Sequence, residues 1–362
     1  MSTRAADVRR LFNGRNDVKK VGVGLVGLGL AVKPHALALH DLAGKVDVIG
    51  GYSPSAARRA EFAAAYRLPV VDSFQALCGD PRIDALLVLT PPRTHLEIAT
   101  AAAQAGKHVL LEKPVAVDLP EATAVVDAVE SRGRVLAIVF QHRFRAGASA
   151  LRDLLRAGAL GDLVSVSTSI RWWRSADYFA QPGRGMKARD GGGVLLTQAI
   201  HTLDLLLDLV GPARQVVAAC RTSPLRRIDT EDIACATVTW DNGAVGVIDA
   251  TTTAYPGYPE RIEIAGTRGS AVLEAERMVA QLVGRPAIVV EGSSAGGGGA
   301  DPMAFSHEAH RRLIEDFVDA IAQRRQPQAS GRSALAVHAL IDAMLASSAS
   351  GAPVAVARTP GR

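Results

Sequence analysis

From Val21 onward the chain alternates between short apolar runs and amphipathic stretches. Val21–Val26, Val46–Gly51, Ala85–Leu89, Val109–Leu111 and Val135–Phe140 are almost continuously apolar, the pattern of strands buried on both faces. Between them, Pro34–Leu42, Ala56–Tyr66, Thr94–Ala105 and a segment ending near Glu130 carry helical spacing, with Thr94 and Asp118 placed to cap their helices. Strand and helix in alternation, with short connections, predict a doubly wound parallel α/β sheet over residues 19–141. At Gln141 the pattern changes. A helix is expected over Ala148–Ala157, followed by strands at Val164–Ile170, Val216–Cys220, Ile233–Trp240, Ala244–Thr251, Arg261–Ala265 and Ser270–Glu274, with Asn242-Gly243 as a hairpin turn. Residues 142–362 therefore read as an α+β domain with a large, mainly antiparallel sheet covered by helices on one face. Its other face needs cover, and a homodimer or homotetramer formed through that sheet is the simplest way to supply it. His307–Ala322 and Ala334–Ser347 read as amphipathic helices, Ser293–Gly299 as a flexible loop, and residues 1–18 as a mobile arm.

Composition narrows the function more than the fold. A length of 362 residues suits two domains, and a 48% hydrophobic content suffices for two cores. The net charge of +5 is spread along the chain and only 4% of residues are aromatic, which argues against a nucleic-acid partner but leaves room for a small anionic ligand. Cys78, Cys220 and Cys235 have neither disulfide nor metal-ligand spacing, so no metal site and a reducing, cytoplasmic setting are expected. Lys19 and Lys20 before an apolar run imitate a leader peptide, but glycines interrupt the run and cleavage would remove the first strand. No stretch reaches about 18 consecutive apolar residues, so neither a membrane-spanning helix nor a membrane partner is expected.

The chemistry gathers at strand ends. Gly27-Leu28-Gly29 leads into the first helix as GxGxxG with Val32 in the third glycine's place. Gly27 suits a tight turn, and Gly29 would let the amides of Leu30, Ala31 and Val32 approach a pyrophosphate, with a looser helix contact at Val32. About 20 residues further on, where an acid would take a ribose hydroxyl, the chain offers Ser53 with Arg58 and Arg59 close behind, which favours NADP over NAD. Thr90-Pro91-Pro92 forms an extended turn suited to ring stacking, and His95 follows as a further cofactor candidate. GKHVLLEKP ends a buried strand in Glu112 and Lys113, where open α/β sheets bind ligands, before a Pro114 that can take a cis bond. In Gly191–Val210, Thr197, His201, Asp204 and Asp208 form one polar stripe on an apolar helix, facing either water or a cleft. Arg143, Arg171, Trp172, Tyr178, Arg184 and Gln198 complete the candidate substrate contacts, although the tryptophans equally suit a domain interface.

Together, VGLVGLGLAVKPHALAL, DALLVLTPPRTHLEIATAAAQAGKHVLLEKP and GGGVLLTQAIHTLDLL resemble the glucose-fructose oxidoreductase, inositol dehydrogenase and MocA family over about Val21–Val356. The resemblance implies a Rossmann-type first domain and an NAD(P)-dependent oxidoreductase acting on a secondary hydroxyl of a sugar, cyclitol or related polyol. It also implies that Lys113 and His201 work on the substrate hydroxyl beside the nicotinamide. Many members carry Asp or Asn where this chain has Thr197, so the histidine has less help in holding charge and the lysine a larger part in proton transfer. Two other functions fit the same residues: a redox-neutral enzyme that oxidises, eliminates and re-reduces, and a non-catalytic nucleotide sensor.

Overall fold

The computed structural model describes residues 20–292 and 306–359; the arm expected at 1–18 and the loop expected at 293–299 lie outside the described residues. In the first half, β1 (Val21–Val26), α1 (Val32–Asp41), β2 (Val46–Tyr52), α2 (Ala56–Tyr66), α3 (Phe74–Gly79), β3 (Ala85–Val88), α4 (His95–Gln104), β4 (His108–Leu111), α5 (Leu119–Glu130) and β5 (Leu136–Ile138) follow one another. The strands form a wholly parallel sheet in the order β2-β1-β3-β4-β5. Val23, Leu25, Leu86, Leu87, Leu110 and Leu111 are fully buried, as their unbroken apolar runs require. The direction in which successive strands are added to the sheet reverses between β1 and β3, so a crevice opens at the carboxyl ends of these two strands. Asp118 caps α5 by accepting from the Glu121 amide at 2.9 Å. Thr94 does not cap α4: its hydroxyl donates to Thr90 Oγ1 and the Pro91 carbonyl, because a single 3-10 turn, Pro92–Thr94, occupies the helix entry.

The second half begins with α6 (Ala146–Arg156), β6 (Leu163–Arg171), two one-turn helices α7 (Ala176–Phe179) and α8 (Lys187–Asp190), and α9 (Ile200–Val210). It continues through β7 (Ala213–Arg221), β8 (Ile233–Trp240), β9 (Val245–Thr251), β10 (Arg261–Gly266), β11 (Gly269–Glu274), β12 (Arg277–Leu282) and β13 (Ile288–Val290) to α10 (Glu308–Gln323), α11 (Gly331–Ser350) and β14 (Val354–Ala355). The nine strands run β13-β12-β11-β10-β6-β9-β8-β7-β14, antiparallel except for the parallel pair β6 and β9. Helices α6, α9 and α11 pack on one face, whereas Val164, Val217, Val245 and Val247 are exposed. β12 was not expected from the sequence; in the fold Met278, Ala280 and Leu282 are buried while Arg277 and Gln281 face outward.

The last two helices return to the first half. α10 lies against α1, α11 against α5 and β5, and the Ile138 amide donates to the Ala329 carbonyl at 2.8 Å. Two helical stretches, 187–210 and Gly331–Ser350, are long and apolar enough to cross a bilayer, contrary to expectation. An 18-residue window of the first is 94% buried inside the protein, and α11 packs on β7 and α5, so the fold itself accounts for their apolar faces.

Candidate active site

A cleft of about 400 Å³ opens where the crevice of the parallel sheet meets α9 and the segment between β6 and α9. Its first wall is the turn from β1 into α1. Gly27 has φ +97, and a side chain there would strike the Leu89 carbonyl, whereas a Cβ on Gly29 would meet nothing within 4 Å. The open space at Gly29 lies beside a helix amino terminus whose preceding residue, Ala31, offers no side-chain cap and whose first turn holds no acid. Such an end presents backbone amides to an anion, so these residues fit a dinucleotide pyrophosphate. Leu30 and Ala31 line the cleft; Val32 does not, being packed in the core, with its amide donating to the Gly29 carbonyl.

The expected ribose contacts turn out differently. Ser53 is buried, its hydroxyl accepts from the Ser55 amide at 3.4 Å and its carbonyl accepts from Arg59 at 2.7 Å. Arg59 also reaches Asp72, leaving Arg58 as the exposed guanidinium. Leu89 and Thr90 form the wall after β3, not Pro91 and Pro92, whose 3-10 turn carries them away from it. His95 is no cofactor contact either. It is fully buried, with Nδ1 against the Val115 carbonyl and Nε2 against the Thr90 carbonyl, so it ties the loop after β4 to the loop after β3.

Glu112 and Lys113 project into the cleft from the end of β4, ahead of a cis Lys113–Pro114 bond. One Glu112 oxygen meets His35 Nε2 at 3.0 Å and the other accepts from the Lys113 amide at 3.0 Å. His310 completes a buried cluster in which the candidate ligand atoms lie within 4.8 Å of one another, but hydrogen bonds already engage both carboxylate oxygens. Lys113 Nζ donates to the Thr197 carbonyl at 3.0 Å, joining the two halves across the cleft. Burial lowers the pKa of this ammonium, Glu112 opposes the shift, and the charges of Arg184 and Arg174 add to it.

The polar stripe on the long helix faces neither water nor a cleft throughout. Thr197 and His201 line the cleft, while Asp204 takes Arg143 bidentately at 2.5 and 2.6 Å and Asp208 takes Arg152 at 2.6 Å. Arg143, expected to touch substrate, is 1% exposed and closes this internal network. Arg171 likewise misses the cleft, because alternation along β6 turns it to the opposite sheet face, where it pairs with Asp249. A π turn, Leu195–Ala199, precedes α9, and Glu231 holds its start by accepting from the amides of Gly193 and Leu195. Glycine is required at 193, since a Cβ would lie 1.9 Å from the Glu231 carbonyl. The Thr197 hydroxyl donates to the Gly193 carbonyl at 2.7 Å, so this residue serves the cleft through its main chain and does not orient His201.

His201 stacks on His142 with ring centroids 5.0 Å apart. Burial first, and then the nearby Lys113 charge, hold His201 well below the usual histidine range; burial and Arg145 bring His142 to about 3. Both are neutral imidazoles at pH 7. Trp172, Tyr178, Arg184 and Gln198 line the remaining wall as expected. Gln141, His142, Arg145 and Glu260 join them without having been singled out. The first two lie three and four residues past the end of β5, and the rule that ligands gather at the carboxyl ends of parallel strands would have found them. Glu260 had no such signal: its loop reaches the cleft only through the long sheet, where it pairs with Arg145 and is held at about 2 by that charge despite its burial.

Buried polar atoms without partners among the described residues collect here. Trp172 Nε1 and Arg184 Nε are donors, Gln141 Oε1 and Gln198 Oε1 are acceptors, and His201 Nδ1 can be either. Residues 21–140 match the domain described as "Oxidoreductase family, NAD-binding Rossmann fold", and residues 148–272 match the GFO/IDH/MocA C-terminal domain. Levoglucosan dehydrogenase of Pseudarthrobacter phenanthrenivorans is 30% identical over 72% of this chain and 75% of its own length. The chain belongs to the Gfo/Idh/MocA family. It is accordingly an NAD-dependent dehydrogenase. Inositol 2-dehydrogenase of Rhizobium meliloti is 27% identical over 93% of this chain and 99% of its own. The solved structure of levoglucosan dehydrogenase in complex with NADH and levoglucosan superimposes with a TM-score of 0.84 at 27% identity, covering 94% of this chain and 100% of that one. The NADP preference expected from Ser53 finds no support among these Gfo/Idh/MocA relatives.

Proposed function

We propose that this enzyme transfers hydride between NAD(H) and a secondary hydroxyl of a sugar, cyclitol or related polyol. The observation that carries this reading is the set of unpartnered buried donors and acceptors on Trp172, Arg184, Gln141 and Gln198, which several hydroxyls of one polyol would satisfy. Bound nicotinamide supplies the hydride acceptor. Lys113, from the end of β4, takes the hydroxyl proton, and burial, by lowering its pKa, favours the neutral amine that can accept it. His201, neutral and on the opposite wall, orients the same oxygen. The relatives that carry NADH, together with Arg59 being turned inward to the Ser53 carbonyl, support NAD(H) over NADP(H).

Association of copies through the open face of the nine-stranded sheet belongs to this reading, supported by exposed Val217, Val245 and Val247. So does a cytoplasmic setting, supported by three free cysteines. The deciding experiment follows absorbance at 340 nm while NAD⁺ is incubated with a panel of cyclitols and sugars. Stoichiometric NADH formation is expected; product without net cofactor change would favour transient oxidation and elimination instead.

A further inference from the structure

Glu112 and Lys113 are neighbours in the chain and line one cleft, yet no direct ion pair joins carboxylate to ammonium among the described residues. Lys113 Nζ donates to the Thr197 carbonyl at 3.0 Å. Both Glu112 oxygens are held elsewhere: Oε1 meets His35 Nε2 at 3.0 Å, and Oε2 accepts from the Lys113 main-chain amide at 3.0 Å. An ionised carboxylate can only accept, so His35 Nε2 carries the hydrogen. His35 comes from the first turn of α1 and is fully buried. The edge of the His310 ring packs against it, centroids 5.1 Å apart at 86°, and sets the plane of the imidazole. His35 Nδ1 has no hydrogen-bond partner among the described residues, so the bond to Glu112 is the polar tie of this ring. No step of the hydride transfer uses His35 directly.

We infer that His35 is a positioning residue: it holds the Glu112 carboxylate off the Lys113 side chain and so leaves that amine ready to take the substrate proton. A carboxylate in direct contact with an ammonium forms a charge-assisted hydrogen bond, and burial strengthens it. A lysine locked in such a pair keeps its own proton and cannot accept another. With Glu112 tied to His35, the carboxylate still pulls on Lys113 through space, but burial outweighs that pull, and the charges of Arg184 and Arg174 act in the same direction as burial. The other groups facing the pair are imidazoles. His201 and His142 adjoin Lys113, and His95 and His310 adjoin Glu112; burial holds all four below the usual histidine range, so none changes charge as the lysine titrates.

This inference rests on the reading of Lys113 as the base, and its test does not depend on turnover. Competitive acetylation of the full-length protein with acetic anhydride, read by mass spectrometry on the Lys113 peptide from about pH 6 to 11, titrates this one amine. His35→Leu should move the titration up by at least about one pH unit, which is about a tenfold smaller neutral fraction at pH 7. Single-turnover NADH formation, with the panel member that yields NADH, should slow about tenfold at pH 7 and recover at higher pH. His35→Gln, whose amide can still donate to Glu112, should stay near wild type. Glu112→Gln should move the titration down, and adding His35→Leu to it should change nothing more. Urea unfolding and NADH calorimetry check each fold; His35→Asn, too short to reach Glu112, takes the place of the leucine variant if that one does not fold. A folded His35→Leu or His35→Asn with the wild-type titration, an equal shift in His35→Gln, or a shift that persists in the Glu112→Gln background overturns the inference. The two readings fail separately: a titration that shifts as expected, beside a Lys113→Met enzyme of wild-type rate, overturns the base assignment alone.

Discussion

Replacing Lys113 with methionine separates a catalytic lysine from an interdomain strut. The native side chain makes one hydrogen bond across the cleft, to the Thr197 carbonyl at 3.0 Å. That bond is worth about 1 kcal/mol, and losing it through looser positioning alone would slow the reaction about fivefold. Loss of a general base should instead lower hydride transfer by about 10²–10⁴, or about 3–5 kcal/mol. The folded-state pKa of Lys113 is lowered by burial, so below pH 10.5 the unfolded chain holds this proton more readily than the folded one. Removing the group should therefore leave stability at pH 7 unchanged or raised, since methionine fills a similar volume without an ammonium to desolvate. The assay is single-turnover NADH formation across pH, with urea unfolding as the control. In wild type the oxidation rate should rise with pH and level off below 10.5, as Lys113 becomes neutral, and Lys113→Met should lose that limb. A fall smaller than tenfold with an unaltered pH profile would refute the assignment and leave the lysine as a strut.

Gly29→Val should abolish NADH binding in calorimetry while leaving the unfolding midpoint nearly unchanged, because a Cβ there meets nothing within 4 Å and only the space for the pyrophosphate is filled. Thr197→Val should keep turnover within about threefold and cost about 1 kcal/mol in urea unfolding, since the hydroxyl serves the Gly193 carbonyl and the site uses the backbone oxygen. Acid should destabilise the fold well above the range of ordinary carboxylates. His142 and His338 titrate at about 3 and about 4 in the folded protein, so below pH 6.5 the unfolded chain binds more protons and stability falls as pH drops. The slope should reach about 1.4 kcal/mol per pH unit for each such histidine, read from urea midpoints between pH 6.5 and 4.5.

Near-continuous apolar runs such as Ala85–Leu89 and Val109–Leu111 determined the parallel sheet by themselves, because strands buried on both faces tolerate no polar position. The glycine turn and the Glu112-Lys113 strand end were legible for a related reason: both are local, and their chemistry follows from where a strand stops. Residues whose roles depend on distant partners were not legible. Arg143 and Arg184 look alike as isolated arginines, yet only the fold sets Asp204 and Asp208 around the first and leaves Nε of the second facing a cleft. One polar stripe divided into a cleft-lining half and an ion-pair half for the same reason: the helix places its polar groups on one side, but the neighbouring elements decide what each meets. Charge pairing and desolvation act through space, and spatial neighbours 60 or more positions apart, as Arg143 and Asp204 are, exist only once the chain has folded.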